Sequence, residues 1–330
     1  MHPVKIALDA MGGDNGLAPI IAGGLQAIQE YGVEIAFVGQ QHAIERELAR
    51  RTHDPAAIEI VHADQIVGMH EEPSAAVHAR RDSSVVVGTQ MVKRAEAAAF
   101  VSAGNSGATL AAAQLFLGRL HGVRRAALGT VYPTLHGVCL VLDVGATTDC
   151  KPENLYQFGI MGHAYAQGVL GLAEPKVGLL SSGEEEGKGS VLVKEAHQLL
   201  KSAPIRFAGN VEGKDIPYRP VDVVVTDGFT GNVFIKTSEG VAALLLKTLE
   251  REIKRRPHAT LGALLAKQAF RATKACLDYS DYGGAALLGI AGIVIVAHGR
   301  SDSKAIKNAI RVAKQAVDSN VMGVIQEGVR

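Results

Sequence analysis

Short runs of β-branched and apolar residues punctuate the chain at Val4–Leu8, Glu34–Val38, Ile58–His62, Ala98–Val101, Leu128–Tyr132, Val138–Leu142, Val177–Leu180, Val221–Val225 and Ile293–Ala297. Most have the length of a buried strand. Between them, apolar positions recur at helical spacing over Ala18–Tyr31, His42–Arg51, Ser106–Leu120, Leu155–Gly168, Val191–Lys201, Val233–Arg256 and Lys304–Ser319. Strands alternating with helices predict βαβ units and a largely parallel sheet covered on both faces, an α/β fold. The length allows two modest domains or one large α/β unit, and with no fixed-period repeat or low-complexity linker the boundaries are only vaguely placed; residues 1–330 are read as one unit.

Six of these strands are followed at once by polar, glycine-bearing stretches: Asp9-Ala10-Met11-Gly12-Gly13-Asp14, Ser102-Ala103-Gly104-Asn105-Ser106-Gly107, Asp143-Val144-Gly145-Ala146-Thr147, Ser181–Gly189, Thr226-Asp227-Gly228-Phe229-Thr230-Gly231-Asn232 and His298-Gly299-Arg300-Ser301-Asp302. In a parallel sheet such loops share the rim at the carboxyl ends of the strands, where open α/β folds bind ligands. Glycine turns feeding helix N-termini present backbone N–H groups to an oxyanion. Each glycine alone could simply serve a tight turn. Six such loops on one rim, with polar residues interleaved, point instead to an anion site.

Composition supports that emphasis. Glycine numbers 37 of 330 residues, about 11% against a usual 7%, a surplus of about 14. Most of that surplus is expected in these loops and in the Gly209–Gly213 and Gly283-Gly284 turns. Charge nearly cancels, with 34 Lys+Arg against 33 Asp+Glu, which argues against a nucleic-acid partner. The cysteines, Cys139, Cys150 and Cys276, are an odd number without a C-x-x-C pair, so neither a disulfide framework nor a four-cysteine zinc site is expected. The N-terminus lacks a signal-peptide pattern, and the longest apolar run, Ala285–Ala297, has 13 residues where a spanning helix needs about 20. A cytoplasmic protein, at most attached to a membrane surface, is the expectation.

Gly183-Glu184-Glu185-Glu186-Gly187-Lys188-Gly189 approaches a P-loop but fails its spacing, and Gly189 replaces the Mg²⁺-holding hydroxyl. Lys188 on that loop remains a phosphate or oxyanion ligand. No dinucleotide G-x-G-x-x-G, nucleophile-elbow G-x-S-x-G or H-E-x-x-H occurs, so no nucleotide cofactor and no metal are expected. His298 ends an apolar strand and opens a loop, fitting a general acid, an anion ligand or a hydrogen-bonded strand end. With no activated protein nucleophile, the bound anion itself can attack. Inorganic phosphate needs positioning and charge screening more than deprotonation.

Residues 241–275 carry Leu244, Leu245, Leu246, Leu261, Leu264, Leu265 and Phe270 among Lys247, Arg251, Lys254, Arg255, Arg256, Lys267, Arg271 and Lys274. Pro257 is expected to divide this segment into two helices. It reads either as core or subunit interface, or as a basic amphipathic hairpin that meets an acidic protein or anionic lipid.

These strings, from Ile6-Ala7-Leu8-Asp9-Ala10-Met11-Gly12-Gly13-Asp14 to His298-Gly299-Arg300-Ser301-Asp302-Ser303, resemble the PlsX-type phosphate acyltransferases of bacterial phospholipid synthesis. The likeness includes Ser102–Ala108, Leu142–Gly145, Gly183–Gly189, Gly209–Gly213, Asp222–Gly240 and Asp278–Leu288, and spans essentially the whole chain. It implies a Rossmann-like α/β/α sandwich similar to phosphotransacetylase and isopropylmalate dehydrogenase, usually homodimeric. It implies transfer of an acyl group from acyl carrier protein to inorganic phosphate, giving acyl phosphate for a membrane glycerol-3-phosphate acyltransferase. On these loops the implied site comprises Lys188, Asn232 and His298 as catalytic residues. Asp9, Gly12, Gly13, Asn105, Ser106, Gly107, Asp143, Asp227, Thr230, Gly231 and Lys236 would bind phosphate or acyl phosphate. Arg251, Lys254, Arg255, Arg256, Leu261, Leu264, Leu265 and Lys267 would meet the carrier protein or a membrane. The sequence departs from the family pattern at Thr147, where asparagine is usual, and at Ser181-Ser182, where Asn-Ile is common. Competing readings are an acyl-CoA:phosphate transferase, a dehydrogenase of the related fold, and a non-catalytic membrane scaffold.

Overall fold

The computed structural model describes residues 3–276 and 281–329. The N-terminal Met1-His2 and part of the Asp278–Leu288 stretch lie outside the described residues. The strands are β1 (Lys5–Asp9), β2 (Glu34–Gly39), β3 (Ile58–His62), β4 (Ala99–Ser102), β5 (Ala127–Thr134) and β6 (Gly137–Leu142). They continue with β7 (Lys176–Ser181), β8 (Arg206–Glu212), β9 (Val223–Val225), β10 (Ala285–Leu288) and β11 (Ile293–Val296). Among the described residues they form one 11-stranded sheet in the order β3-β2-β1-β4-β11-β10-β5-β6-β9-β7-β8.

The sheet is parallel within two blocks, β3-β2-β1-β4-β11 and β6-β9-β7-β8. Between them β10 and β5 pair antiparallel with their neighbours, so the two blocks run in opposite directions. The six loops therefore do not share one rim. A register row runs Leu8, Val101, Ile295, Ala286, Gly129, Leu142 and Val225. Leu142 and Val225 end their strands, while Leu8, Val101 and Ile295 stand one residue before the ends of theirs. Carboxyl ends from both blocks thus meet at one row, and their loops approach it from opposite sides.

Helices α1 (Leu17–Tyr31), α2 (Gln41–Leu48), α6 (Pro152–Gly168), α11 (Ser303–Asp318) and α12 (Val321–Gly328) bury one face of the sheet, with Ile6, Leu8, Ile35 and Phe37. Helices α3 (Pro73–Ala79), α4 (Ser84–Lys93) and α5 (Ser106–Ala112) cover the alternate positions Ala7, Ala36, Val38 and Phe100. This period-2 partition is what a strand buried on both faces requires. It also explains glycines outside the loops. A Cβ at Gly24 would stand 2.7 Å from the Phe37 ring, and one at Gly88 2.3 Å from Phe100. Part of the glycine surplus therefore seats helices on the sheet rather than building an anion site.

Two strands escape the periodicity. The Ala285–Ala297 run divides into β10 and β11, turned at Gly289 with φ 83° and no polar residue to mark it. Gly209, expected in a turn, lies inside β8 at φ 96°, where Ala208 bulges out and Gly178 pairs with Gly209.

The basic segment forms three helices rather than two: α8 (Gly228–Lys254), α9 (Pro257–Leu265) and α10 (Lys267–Cys276). Pro257 begins α9, and a second break falls at Ala266. Leu244, Leu245, Leu261, Leu264 and Leu265 are all exposed. Arg251, Arg255 and Arg256 pair with Glu252, and Lys254 pairs with Glu250, so part of the positive charge is neutralised on the helix itself. Lys267 and Arg271 have no ion pair among the described residues, and the Lys274 side chain lies outside them. No helix among the described residues is long and apolar enough to cross a membrane.

Candidate active site

A cavity of about 260 Å³ opens where the two blocks meet, over β5 and β10. Ser106 and Gly107 at the start of α5, and His298 and Ser301 after β11, enter it from one side. Val144 and Gly145 after β6, and Asn232, Lys236 and Glu239 of α8, enter it from the other.

Local capping places these groups. Asn105 caps α5, its Oδ1 accepting the Ala108 N–H at 3.1 Å, while Nδ2 donates to the carbonyls of Gly68, Met69 and Glu71 at 3.2–3.3 Å. Its side chain is thus engaged in fixing the loop that presents Ser106 and Gly107. Asp227 caps α8, accepting the Thr230 N–H at 2.9 Å and hydroxyl at 2.7 Å. The first turn of α8 lies directly on the loop after β6: a Cβ at Gly231 would stand 1.9 Å from the Asp143 carbonyl oxygen. At the next residue the Asn232 amide donates to the Val144 carbonyl at 3.1 Å. Lys236 Nζ pairs with Glu239 at 2.9 Å, and both members of the pair line the cavity.

His298 accepts the Arg300 N–H on Nδ1 at 3.1 Å, so the proton of the neutral ring sits on Nε2. Burial pushes its pKa below the usual value, assisted by Lys236 and Arg300 and opposed by Glu239 and Asp14. The ring is therefore uncharged at neutral pH. Ser301 is 4% exposed and lines the cavity, and its hydroxyl has no hydrogen-bond partner among the described residues. A buried hydroxyl in that state costs about 1–3 kcal/mol, which a ligand oxygen would relieve.

The other expected residues stand behind or beside this wall. Asp9 is buried and accepts the Met11 N–H at 3.0 Å and the Ser102 hydroxyl at 2.7 Å; burial pushes its carboxyl up. A Cβ at Gly12 would meet Gly104 N at 2.6 Å, and Asp14 N–H, just after Gly13, donates to the Gly299 carbonyl at 2.7 Å. The loop after β1 thereby braces the loops after β4 and β11. Asp143 accepts the N–H groups of Leu128, Gly145, Ala146 and Thr147 at 2.7–3.0 Å, yet burial holds its carboxyl above the ordinary range. The Thr147 hydroxyl is taken by the Ala126 carbonyl at 2.9 Å. Lys188 is exposed on the loop between β7 and α7 (Val191–Lys201), outside the cavity lining, with its stem over Gly183. Asn210 Nδ2 holds that loop through the Glu185 carbonyl at 2.9 Å. Burial pushes the thiols of Cys139 and Cys150 up to about 12, leaving little thiolate at neutral pH.

Ser301 is visible in the sequence only as part of its loop. Tyr282 and Gly284 also line the cavity, and only the glycine pair at 283 and 284 signals them.

Comparison with known proteins agrees with this architecture. The chain aligns with the phosphate acyltransferase of Elusimicrobium minutum at 47% identity, covering 98% of this chain and 95% of that protein. With that of Desulfitobacterium hafniense the identity is 48%, over 98% and 96%. In fold it is similar to a phosphotransacetylase from Streptococcus pyogenes (TM-score 0.63, 15% identity, 96% of this chain and 94% of that one). It is likewise similar to the EutD phosphotransacetylase from Staphylococcus aureus (TM-score 0.61, 16% identity, 96% and 94%). The family model described as "Fatty acid synthesis protein" matches residues 4–324, and with relatives this similar over nearly the whole chain, the protein belongs to the PlsX-type phosphate acyltransferases.

Proposed function

We propose that this acyltransferase moves a fatty-acyl group from acyl carrier protein to inorganic phosphate, and that the reaction is reversible. A phosphate oxygen attacks the thioester carbonyl, the carbon–sulfur bond breaks, and the thiolate leaves to take up a proton. The observation that carries this reading is the buried hydroxyl of Ser301, without a hydrogen-bond partner among the described residues, in a cavity also lined by Lys236 and the uncharged imidazole of His298.

In this reading the Ser106 and Gly107 amides, the Ser301 hydroxyl and Asn232 hold the phosphate oxygens, and Lys236 balances their charge. Lys188, on a loop next to that of α8 in sheet order, adds a second positive charge as the anion enters. The Nε2–H of His298 donates to the oxyanion of the tetrahedral intermediate, where removing one such donor typically costs 10²–10³ in turnover, as an order of magnitude. Asp9, Asp143 and Asp227, with Gly12, Gly13, Asn105, Thr230 and Gly231, keep the loops in place. No cofactor takes part.

The exposed leucines of α8 and α9, with Arg251, Arg255 and Lys267, suit an acidic carrier protein, a second copy of this chain or an anionic membrane surface. The acyl phosphate would pass to a membrane glycerol-3-phosphate acyltransferase. Supplying phosphate with the same acyl group on acyl carrier protein or on coenzyme A tests the donor. Higher kcat/KM with the carrier protein supports the proposal; preference for the coenzyme A ester would replace it with an acyl-CoA:phosphate transferase.

A further inference from the structure

A second cavity, also of about 260 Å³, adjoins the first and shares Thr130, Val131, Ile235 and Glu239 with it. Its walls are mainly apolar, formed by Val131, Tyr132, Pro133 and Leu135 on one side and Ile235 and Ala242 on the other, with Ser238 and Glu239 among its polar members. The sheet topology opens this space. Among the described residues β5 pairs beyond Gly129 only with β6, and none of them forms a strand along the edge of β5 that faced β10. Helix α8 packs back across β5 through Phe234, whose ring centroid lies 5.2 Å from that of Tyr132. At the outer end the Leu135 N–H donates to the Pro217 carbonyl at 2.8 Å, tying the tip of the β5–β6 hairpin down.

We propose that this groove between β5 and α8 holds the acyl chain of the substrate, and that Ser238 and Ala242 set how long a chain it accepts. The inference rests on reading the protein as an acyl phosphate former. A carbonyl held among Ser106, Asn232 and His298 has the groove mouth, Thr130 and Val131, as its adjoining apolar exit. From Thr130 to Leu135 the strand extends roughly 17 Å, at about 3.4 Å per residue, whereas an acetyl group would fill only the mouth. Ser238 and Ala242 line the groove but not the phosphate cavity, so they can alter chain length without touching the reacting atoms.

The experiment compares acyl phosphate formation from butyryl-, decanoyl- and palmitoyl-acyl carrier protein in the wild type, Ser238→Phe and Ala242→Phe. In the wild type kcat/KM should rise about fourfold per methylene until the groove is filled. Ala242→Phe should lower the palmitoyl value by about tenfold or more while butyryl turnover stays within about twofold. Ser238→Phe, nearer the mouth, should extend the loss to decanoyl. A uniform loss at all chain lengths, or no change at any, overturns the groove as the acyl site; so does unchanged selectivity with altered oligomeric state, which would assign the groove to a second copy. Failure of the wild type to form any acyl phosphate contradicts the underlying function instead.

Discussion

Ser301 and His298 stand three residues apart on one loop and both line the cavity, the proton of the neutral imidazole sitting on Nε2. Since the Ser301 hydroxyl has no hydrogen-bond partner among the described residues and is costly to bury in that state, Ser301→Ala should leave the melting temperature unchanged or raise it. If the hydroxyl meets phosphate, its loss removes about 1.5–3 kcal/mol, a roughly 10–100-fold rise in KM for phosphate, measurable by initial rates. His298 adds a pH signature. Its folded pKa lies below 6.5, so the ring is neutral at pH 7 and gains its proton only on further acidification. The acid limb of kcat/KM should therefore have a component below pH 6.5 that His298→Gln lacks, phosphate's own titration being common to both. Stability follows the same sign. The unfolded chain takes up this proton first, near pH 6.5, so acidification through that region weakens the fold, and less so in His298→Gln. Position in the sequence marked His298 because it ends an apolar strand. It could not mark Ser301, whose distinction is a missing hydrogen bond, a property only of the folded chain. Nor could it separate Asp9, Asp143, Asp227 and Asn105 from Asn232 and Lys236, since a side chain that caps a helix and one that faces a ligand look alike in a loop.

At the level of elements, the contact between α8 and the loop after β6 positions Asn232 and Lys236. Gly231→Ala would force a Cβ to within 1.9 Å of the Asp143 carbonyl unless the backbone shifts. We expect a clear fall in melting temperature, from about 2–4 kcal/mol of lost stability, together with reduced turnover. Unchanged melting and turnover would show that α8 is not seated by this approach. The strand–helix alternation was legible because β1, β4, β6, β9 and β11 are short apolar runs ending in glycine and polar residues. β10 was not, because a run apolar throughout carries no period, and its turn uses Gly289, Ile290 and Ala291 rather than Asn or Asp. β8 was obscured by the bulge at Ala208 and the glycine that follows it.

For the molecule as a whole, the opposed directions of the two blocks decide where chemistry can occur. Local patterns predict strands and their helices, but strand direction across the sheet depends on pairings between distant segments, such as Gly129 with both Ala286 and Leu142. The same limit applies to α8–α10, whose exposed leucines and partly paired cations mark a surface without naming its partner. If that surface receives the carrier protein, reversing charge at Arg255 and Lys267 should raise KM for acyl-acyl carrier protein several-fold, leave KM for phosphate unchanged, and lose its effect at high salt. Unaltered KM values would return the segment to a subunit or membrane contact. The decisive measurement is phosphorus NMR of the purified protein with palmitoyl-acyl carrier protein and inorganic phosphate, beside Ser301→Ala and Lys236→Ala. A new acyl phosphate resonance should grow in step with free carrier thiol and be strongly slowed in both variants. Thiol release without that resonance, or equal rates in all three proteins, would contradict direct attack by phosphate held in this cavity.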